Sequence, residues 1–147
     1  MSDNYEKYEK ECEEIRQKNV QLLDEFSAWL REKQLHEDTI RKHIYNIEFY
    51  INQFLLYQEA IEPKDGASEI GSFLGDWFIR KAMWSSVPYI KSNAVSLKKF
   101  YTFMCEKGQI DQEDLEDLYD IIKEELPDWI DEMKEFDDLA ETTMEDL

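Results

Sequence analysis

The segment from residue 85 to residue 110 constrains the fold most, because a helix start, an apolar period and a helix stop follow one another within it. Ser86 is a residue type that caps helix N-termini, and Pro88 suits the first turn, where the N–H that proline lacks is not needed. Gly108 is a typical stop signal. Between these signals, apolar residues recur at steps of three and four, the period of one helix face: Ile90, Ala94, Leu97, Tyr101 and Met104. The segment therefore predicts an amphipathic helix that buries one side.

The same helical spacing recurs in the preceding part of the chain. The clearest example steps by four and three and consists of Ile40, Ile44, Ile47, Ile51 and Phe54. An apolar stripe also runs through residues 68–84, where Gly71 and Gly75 are four apart and predict close packing of a neighbouring helix. The chain has only 4 Gly and 3 Pro, and it has no strand-like Val/Ile/Thr runs between turns. We therefore predict an all-α fold with four helices in residues 21–110, preceded by a frayed or extended N-terminal helix in residues 1–20.

The last quarter of the chain is strongly acidic. Residues 111–147 carry two Lys against 17 Asp and Glu, a net charge of −15, whereas residues 22–110 carry a net charge of −1. Two amphipathic faces lie in the acidic part, and they consist of Leu115, Leu118, Tyr119 and Ile122, and of Trp129, Ile130, Met133 and Phe136. Pro127 lies between the two faces and predicts a break or kink. We therefore predict that the four-helix core is followed by one or two acidic amphipathic helices, with Tyr119 in the core.

The sequence contains no recognisable catalytic or metal site. No Ser or Cys lies in a nucleophile-elbow context, and there is no glycine-rich phosphate loop. The two histidines, His36 and His43, lack the further ligands that zinc needs, and the carboxylates lack the spacing of a calcium loop. No apolar run approaches the roughly 18 residues of a membrane span, and the first residues show no signal-peptide pattern. We therefore expect a cytoplasmic protein that is not an enzyme, holds no metal or other cofactor and binds no membrane.

Two segments of this core resemble a known family. The first is Leu35-His36-Glu37-Asp38-Thr39-Ile40-Arg41, followed by an aromatic-rich helix that ends in Phe54-Leu55. The second is Ser86-x-x-Tyr89-Ile90-Lys91, then Leu97-Lys98-Lys99-Phe100-Tyr101-x-Phe103 and Lys107-Gly108-x-Ile110. They are similar to the second and fourth helices of the N-terminal core-binding (SAM-like) domain of the tyrosine recombinase, or phage integrase, family. The likeness covers residues 20–110 and implies a four-helix SAM-like bundle.

In that family the domain clamps one face of duplex DNA with basic and polar residues of its second and fourth helices. Carried to this sequence, the resemblance implies DNA contacts by Thr39, Arg41, Lys42, Lys91, Ser92, Lys98 and Lys99. So few cations predict weak, salt-sensitive binding. The chain departs from the family at His36, a poorer cap that stands where the family has Ser. It also lacks the Arg, Lys and His set with which the family's catalytic domain surrounds a Tyr nucleophile, since no Arg follows Arg80 and no His follows His43.

Two functions follow from these patterns. The first is a non-catalytic DNA-binding module, linked to DNA recombination and integration. The second is a protein-interaction or regulatory module in which residues 111–147 mimic DNA, engage a basic protein partner or mask the chain's own basic face. A helical domain whose acidic end only keeps it soluble is a third alternative, and an assembly of several copies is left open.

Overall fold

The computed structural model describes residues 2–81 and 86–145, and these residues form helices and turns with no β-strand. Four long helices in them are α1 (Ser2–Glu32), α2 (Glu37–Phe49), α4 (Val87–Glu106) and α5 (Gln112–Glu145). Three consecutive pieces, Ile70–Ser72, Phe73–Trp77 and Phe78–Lys81, together form α3. The prediction of an all-α fold is confirmed.

Helix α4 begins and ends as its sequence predicts. Ser86 has an extended backbone, and its hydroxyl oxygen accepts a hydrogen bond from Tyr89 N at 3.5 Å. Pro88 lies in the first turn, and Gly108 has a φ of +78°, in the left-handed region that favours glycine. The predicted apolar stripe is buried along its whole length, at Ile90, Ala94, Leu97, Tyr101 and Met104. The local signals therefore place α4 at the centre of the core.

Helix α1 is longer than the predicted first core helix. It runs without interruption from Ser2 to Glu32, so position 20, where we placed a boundary, falls inside it. Its C-terminal half enters the main core through Phe26 and Leu30. Its N-terminal half rests on Leu56, against which Cys12 and Ile15 are buried. The predicted N-terminal extension is therefore a helix with a small apolar contact of its own.

Helix α2 is capped by His36, whose Nδ1 accepts a hydrogen bond from Asp38 N at 3.2 Å. The imidazole thus fills the role for which Ser is the better residue type. At its C-terminal end α2 passes into a wider, π-helical turn, Tyr50–Phe54. The rings of Tyr50 and Phe54 lie 4.9 and 5.0 Å from that of Phe73 in α3, centroid to centroid. This widened turn therefore coincides with a cluster of aromatic rings.

Helix α3 is less regular than its sequence predicts. The stripe over residues 68–84 predicts one α-helix, but Phe73–Trp77 forms a second π-helical segment. The apolar period is still realised, because Phe73 and Leu74 are fully buried. Residues 82–84 of that prediction lie outside the described residues.

Helix α5 is a single helix that continues through Pro127. The predicted break is wrong, because Pro127 is exposed and the carbonyl that it leaves unpaired, four residues earlier, can be hydrated. Both predicted apolar faces belong to the main core through buried side chains: Leu115, Leu118, Ile122, Trp129 and Met133. A Cβ on Gly75 would lie 2.8 Å from the Trp129 ring, so this glycine lets α5 approach α3, as its spacing predicts.

Candidate nucleic-acid interface and the acidic helix face

A buried polar layer joins α2 to α4. His43 Nδ1 lies 2.7 Å from Ser96 Oγ, and Asn46 Nδ2 donates hydrogen bonds to Ser96 Oγ at 2.9 Å and Ser92 Oγ at 3.0 Å. His43, Asn46 and Ser96 are each at most 5% exposed. Because buried polar groups are costly unless they are paired, this layer fixes how the two helices face each other.

Four of the seven predicted DNA-binding residues lie along the line where α2 and α4 meet, and we call these four, Thr39, Lys42, Ser92 and Lys99, the seam. Thr39 precedes His43 by one helical turn, so the two share a side of α2. Lys42 precedes Asn46 by one turn of α2 and Lys99 follows Ser96 by one turn of α4, so both lie next to the hydrogen-bonded layer. In the part of the chain that the structure describes, neither lysine forms an ion pair. The seam therefore presents two unpaired cations and two hydroxyl groups.

His43 lies below the two seam lysines and is held neutral. Burial is the largest cause that lowers its pKa below the ordinary 6.5, and the positive charges of Lys99 and then Lys42 lower it further. At neutral pH the ring is therefore an uncharged imidazole. It donates or accepts hydrogen bonds in the layer without adding to the positive charge of the seam.

The other three predicted residues, Arg41, Lys91 and Lys98, lie elsewhere. Arg41 forms an ion pair with Asp38 on the exposed surface of α2. Lys98 lies over the Tyr119 ring of α5, with its Nζ 5.8 Å from the ring centroid. Lys91 is exposed, and it precedes Lys98 by two turns on the same side of α4. Adjacent residues on a helix point about 100° apart, and for this reason the lysines of α4 divide between two sides of the helix.

Tyr119 is a surface residue, and its predicted place in the core is wrong. It is 37% exposed, and its hydroxyl lies 2.5 Å from Thr102 Oγ1. Because the Thr102 hydroxyl already donates to the Lys98 carbonyl at 2.7 Å, Tyr119 donates to Thr102. Tyr119 lies at the edge of the apolar side of α5. At such a position the ring is partly covered while its hydroxyl group can form a hydrogen bond with a polar side chain.

The outer side of α5 carries a dense row of exposed carboxylates, and we call this row the acidic face. It consists of Glu113, Asp114, Glu116, Asp117, Asp120, Glu124, Glu125, Asp128, Asp131, Glu132 and Glu135. None of them forms an ion pair with a cation among the described residues. The two lysines of α5, Lys123 and Lys134, are also exposed and unpaired there. The acidic face is therefore held in place by the apolar side of its helix and not by countercharges.

The buried tyrosines have structural roles. Tyr50 and Tyr101 donate their hydroxyl hydrogens to the carbonyls of Gly66 and Pro63, at 2.6 and 2.9 Å. Burial raises the pKa of both hydroxyl groups well above the ordinary 10.0, so both stay protonated. These bonds hold the turn before α3 against the core.

Among the described residues, no group of three or more His, Cys, Asp or Glu side chains is arranged to hold a metal ion. His36 and His43 are separated, since the first caps α2 and the second lies in the buried layer. None of the described helices has a stretch that is long and apolar enough to cross a membrane.

No protein-family model, curated protein or solved structure matches the chain significantly. The seam therefore has to be judged on its own geometry. The residues that sequence reasoning missed are His43, Asn46 and Ser96, which build the layer beneath it. Their signal was a polar side along α2, in which Thr39, His43 and Asn46 follow one another at steps of four and three beside the isoleucine stripe.

Proposed function

We propose that the protein is a non-catalytic DNA-binding module that touches the phosphates of duplex DNA with its seam. The observation that carries this proposal is the placement of Lys42 and Lys99, neither with an ion-pair partner in the described chain, on two helices joined by buried hydrogen bonds. Lys42 lies one turn before Asn46 on α2, and Lys99 lies one turn after Ser96 on α4. The hydroxyl groups of Thr39 and Ser92 add neutral donors of the kind that contact phosphates. A role in DNA recombination or integration is what the family resemblance adds.

The number of free cations sets the expected strength of binding. Each lysine that neutralises a phosphate releases counterions, so two seam lysines give a slope of about −2 in a plot of log affinity against log salt. The net charge of −18 opposes binding at long range. The proposed activity is therefore weak and confined to low salt unless a second protein strengthens it.

Fluorescence anisotropy with a short labelled duplex tests the proposal, using the full-length chain because α5 supplies part of the core. Lys42→Gln and Lys99→Gln should each weaken binding by about threefold to tenfold and reduce the salt slope by about one. Lys123→Gln is the matched control, since it removes the same charge from an exposed site on α5. Absence of salt-dependent binding in the wild-type chain, or equal losses in all three variants, contradicts the proposal.

A second function is supported by the acidic face. Its carboxylates lack countercharges among the described residues, and the opposite side of α5 is buried, so the row is displayed on a fixed support. Such a row suits a basic protein partner, which it could engage as a mimic of DNA phosphates. The same row also acts on any DNA that approaches the seam.

Neutralising part of the row separates these effects. The triple variant Glu116→Gln, Asp120→Asn and Glu124→Gln should lose binding to a basic partner and tighten DNA binding at low salt. Its control neutralises three exposed carboxylates of α1, Glu6, Glu11 and Glu14, with the same change in net charge. Equal effects of the two triple variants would mean that net charge alone is at work and would remove the case for a specific acidic surface.

A further inference from the structure

His43 has a place in the fold that simple packing of α2 against α4 does not require. It is 5% exposed, and two lysines act on it from the two helices that form the seam. The charged groups that act on the ring are Lys42 of α2 and Lys99 of α4, and α1 and α5 contribute none. An apolar residue at this position would avoid both the burial of an imidazole and the repulsion that its charged form meets.

The hydrogen bonds of the layer accept both protonation states of the ring. Ser96 Oγ receives a hydrogen bond from Asn46, and this leaves it one hydroxyl hydrogen and one further lone pair. In the neutral tautomer that carries its hydrogen on Nδ1, Nδ1–H donates to this second lone pair and Nε2 is left without a hydrogen. The charged ring, with a proton added at Nε2, keeps the same Nδ1–H bond to Ser96 Oγ over the same 2.7 Å. A proton can therefore be added without breaking the bond between α2 and α4.

The second ring nitrogen of His43 has no hydrogen-bond partner among the described residues, because the layer uses Nδ1 alone. The residue keeps 5% of its surface exposed. A proton can thus arrive from water on the side of the ring that the layer does not use.

We propose that Lys42 and Lys99 hold one phosphate group of the DNA backbone and that the occupied site takes up one proton from water at His43. This inference rests on the proposed DNA-binding function and adds that DNA binding is coupled to the uptake of one proton. Burial disfavours the imidazolium ion in both states, but a phosphate between the lysines cancels their positive field, so the bound site takes up the proton at a higher pH than the free site does. By thermodynamic linkage, a fall in pH must then strengthen DNA binding.

Titration of the imidazole signals by NMR tests the coupling directly in the wild-type chain. The chain has two histidines, and the spectrum of His36→Gln identifies the signal of the buried His43. Addition of a short DNA duplex at low salt should move the titration midpoint of His43 upward. The affinity measured by anisotropy should be about threefold to tenfold tighter at pH 6 than at pH 7.5.

Two variants identify the groups that are involved. Lys99→Gln should raise the midpoint of His43 in the free protein and reduce the change that DNA causes. His43→Gln should keep DNA binding but remove its dependence on pH, and His36→Gln should keep that dependence.

The outcomes distinguish the inference from the function on which it rests. If DNA binds in a salt-dependent manner while the His43 midpoint stays in place, the proton coupling is overturned and the proposed function stands. If the wild-type chain binds no DNA at any salt concentration, the proposed function and the coupling are both overturned. A midpoint that moves equally in the wild type and in Lys99→Gln would assign the effect to other charges and overturn the proposed site.

Discussion

The seam lies where α2 meets α4, the acidic face lies on the outer side of α5, and the two are built in opposite ways. The seam has two cations without ion-pair partners in the described chain, next to a layer of buried hydrogen bonds. In this layer Ser96 accepts a hydrogen bond from Asn46 and contacts His43. The acidic face has many more charges, but what holds it is an apolar side that includes Ile122 and Trp129. The contrast shows that the amount of charge on a surface says little about how firmly its groups are positioned. In the seam, hydrogen bonds between two helices position a few charges. In the acidic face, the apolar side of a single helix positions many.

The largest expected effect comes from removing the apolar support of the acidic face. Trp129 is 5% exposed and covers Gly75, so Trp129→Ala should lower the free energy of unfolding by about 3–5 kcal/mol. Phe136→Ala is the control, because this ring is 44% exposed and its loss should change stability by less than about 0.5 kcal/mol. Urea unfolding measures both. Equal, small losses would mean that α5 is a detachable tail and would remove the contrast with the seam.

The next effect tests the contact between α3 and α5 with two glycines of one helix. Gly75→Ala places a Cβ 2.8 Å from the Trp129 ring and should cost about 1–3 kcal/mol, since neighbours have to move. Gly71→Ala places a Cβ 3.5 Å from a Glu125 oxygen, an ordinary contact distance, and should be neutral or stabilise by up to about 1 kcal/mol. Thermal unfolding of the pair measures the difference. The reverse order of stability would show that α5 lies on α3 in another way.

A smaller effect concerns the pH dependence of the layer beneath the seam. Burial and the two lysines lower the pKa of His43 below 6.5, so the unfolded chain binds a proton at a pH where the folded chain does not. The stability contributed by the neutral ring is therefore complete above pH 6.5 and decreases as the pH falls toward the lowered pKa of the folded state. His43→Gln should flatten this part of the stability curve, measured by urea unfolding between pH 5 and pH 7.5. An unchanged slope would mean that His43 titrates normally.

The smallest effect separates two adjacent cations of α2. Lys42 belongs to the seam and is unpaired in the described chain, whereas Arg41 is paired with Asp38. Arg41→Gln should weaken DNA binding less than about twofold, against about threefold to tenfold for Lys42→Gln. Anisotropy at one low salt concentration compares the two variants, which have the same net charge. Equal losses of DNA affinity in the two variants would show that the DNA interface extends beyond the seam to Arg41, and the comparison would fail.

The features that the sequence predicted correctly are local ones. Ser86, Pro88 and Gly108 act within one or two turns, so they place the ends of α4 without knowledge of its neighbours. The isoleucine stripe of α2 likewise shows which side of that helix is buried. These features depend on backbone geometry and on spacing along one helix, and both can be read from consecutive residues.

The features that the sequence did not predict depend on contacts between distant segments. From the sequence, Pro127 predicts a break. The helix continues beyond it because Trp129 packs against Gly75 of α3, a contact that the sequence does not show. In the sequence, Lys98 and Lys99 form one basic pair. In the structure, Lys98 lies over the Tyr119 ring, whereas Lys99 acts on His43. A helical period gives the direction of burial but not the identity of the partner, so the division of the lysines could not be predicted.

The placement of α5 also has a kinetic consequence. Because Leu118 and Met133 are fixed in the core, the carboxylates cannot swing away from the rest of the molecule. The protein is therefore a permanent electric dipole, with its negative end along the outer side of α5. An approaching polyanion exerts a torque on such a body and turns the acidic face away before contact. Rotation during the encounter would thus present other surfaces first, and the rate of association would depend on ionic strength for this reason as well.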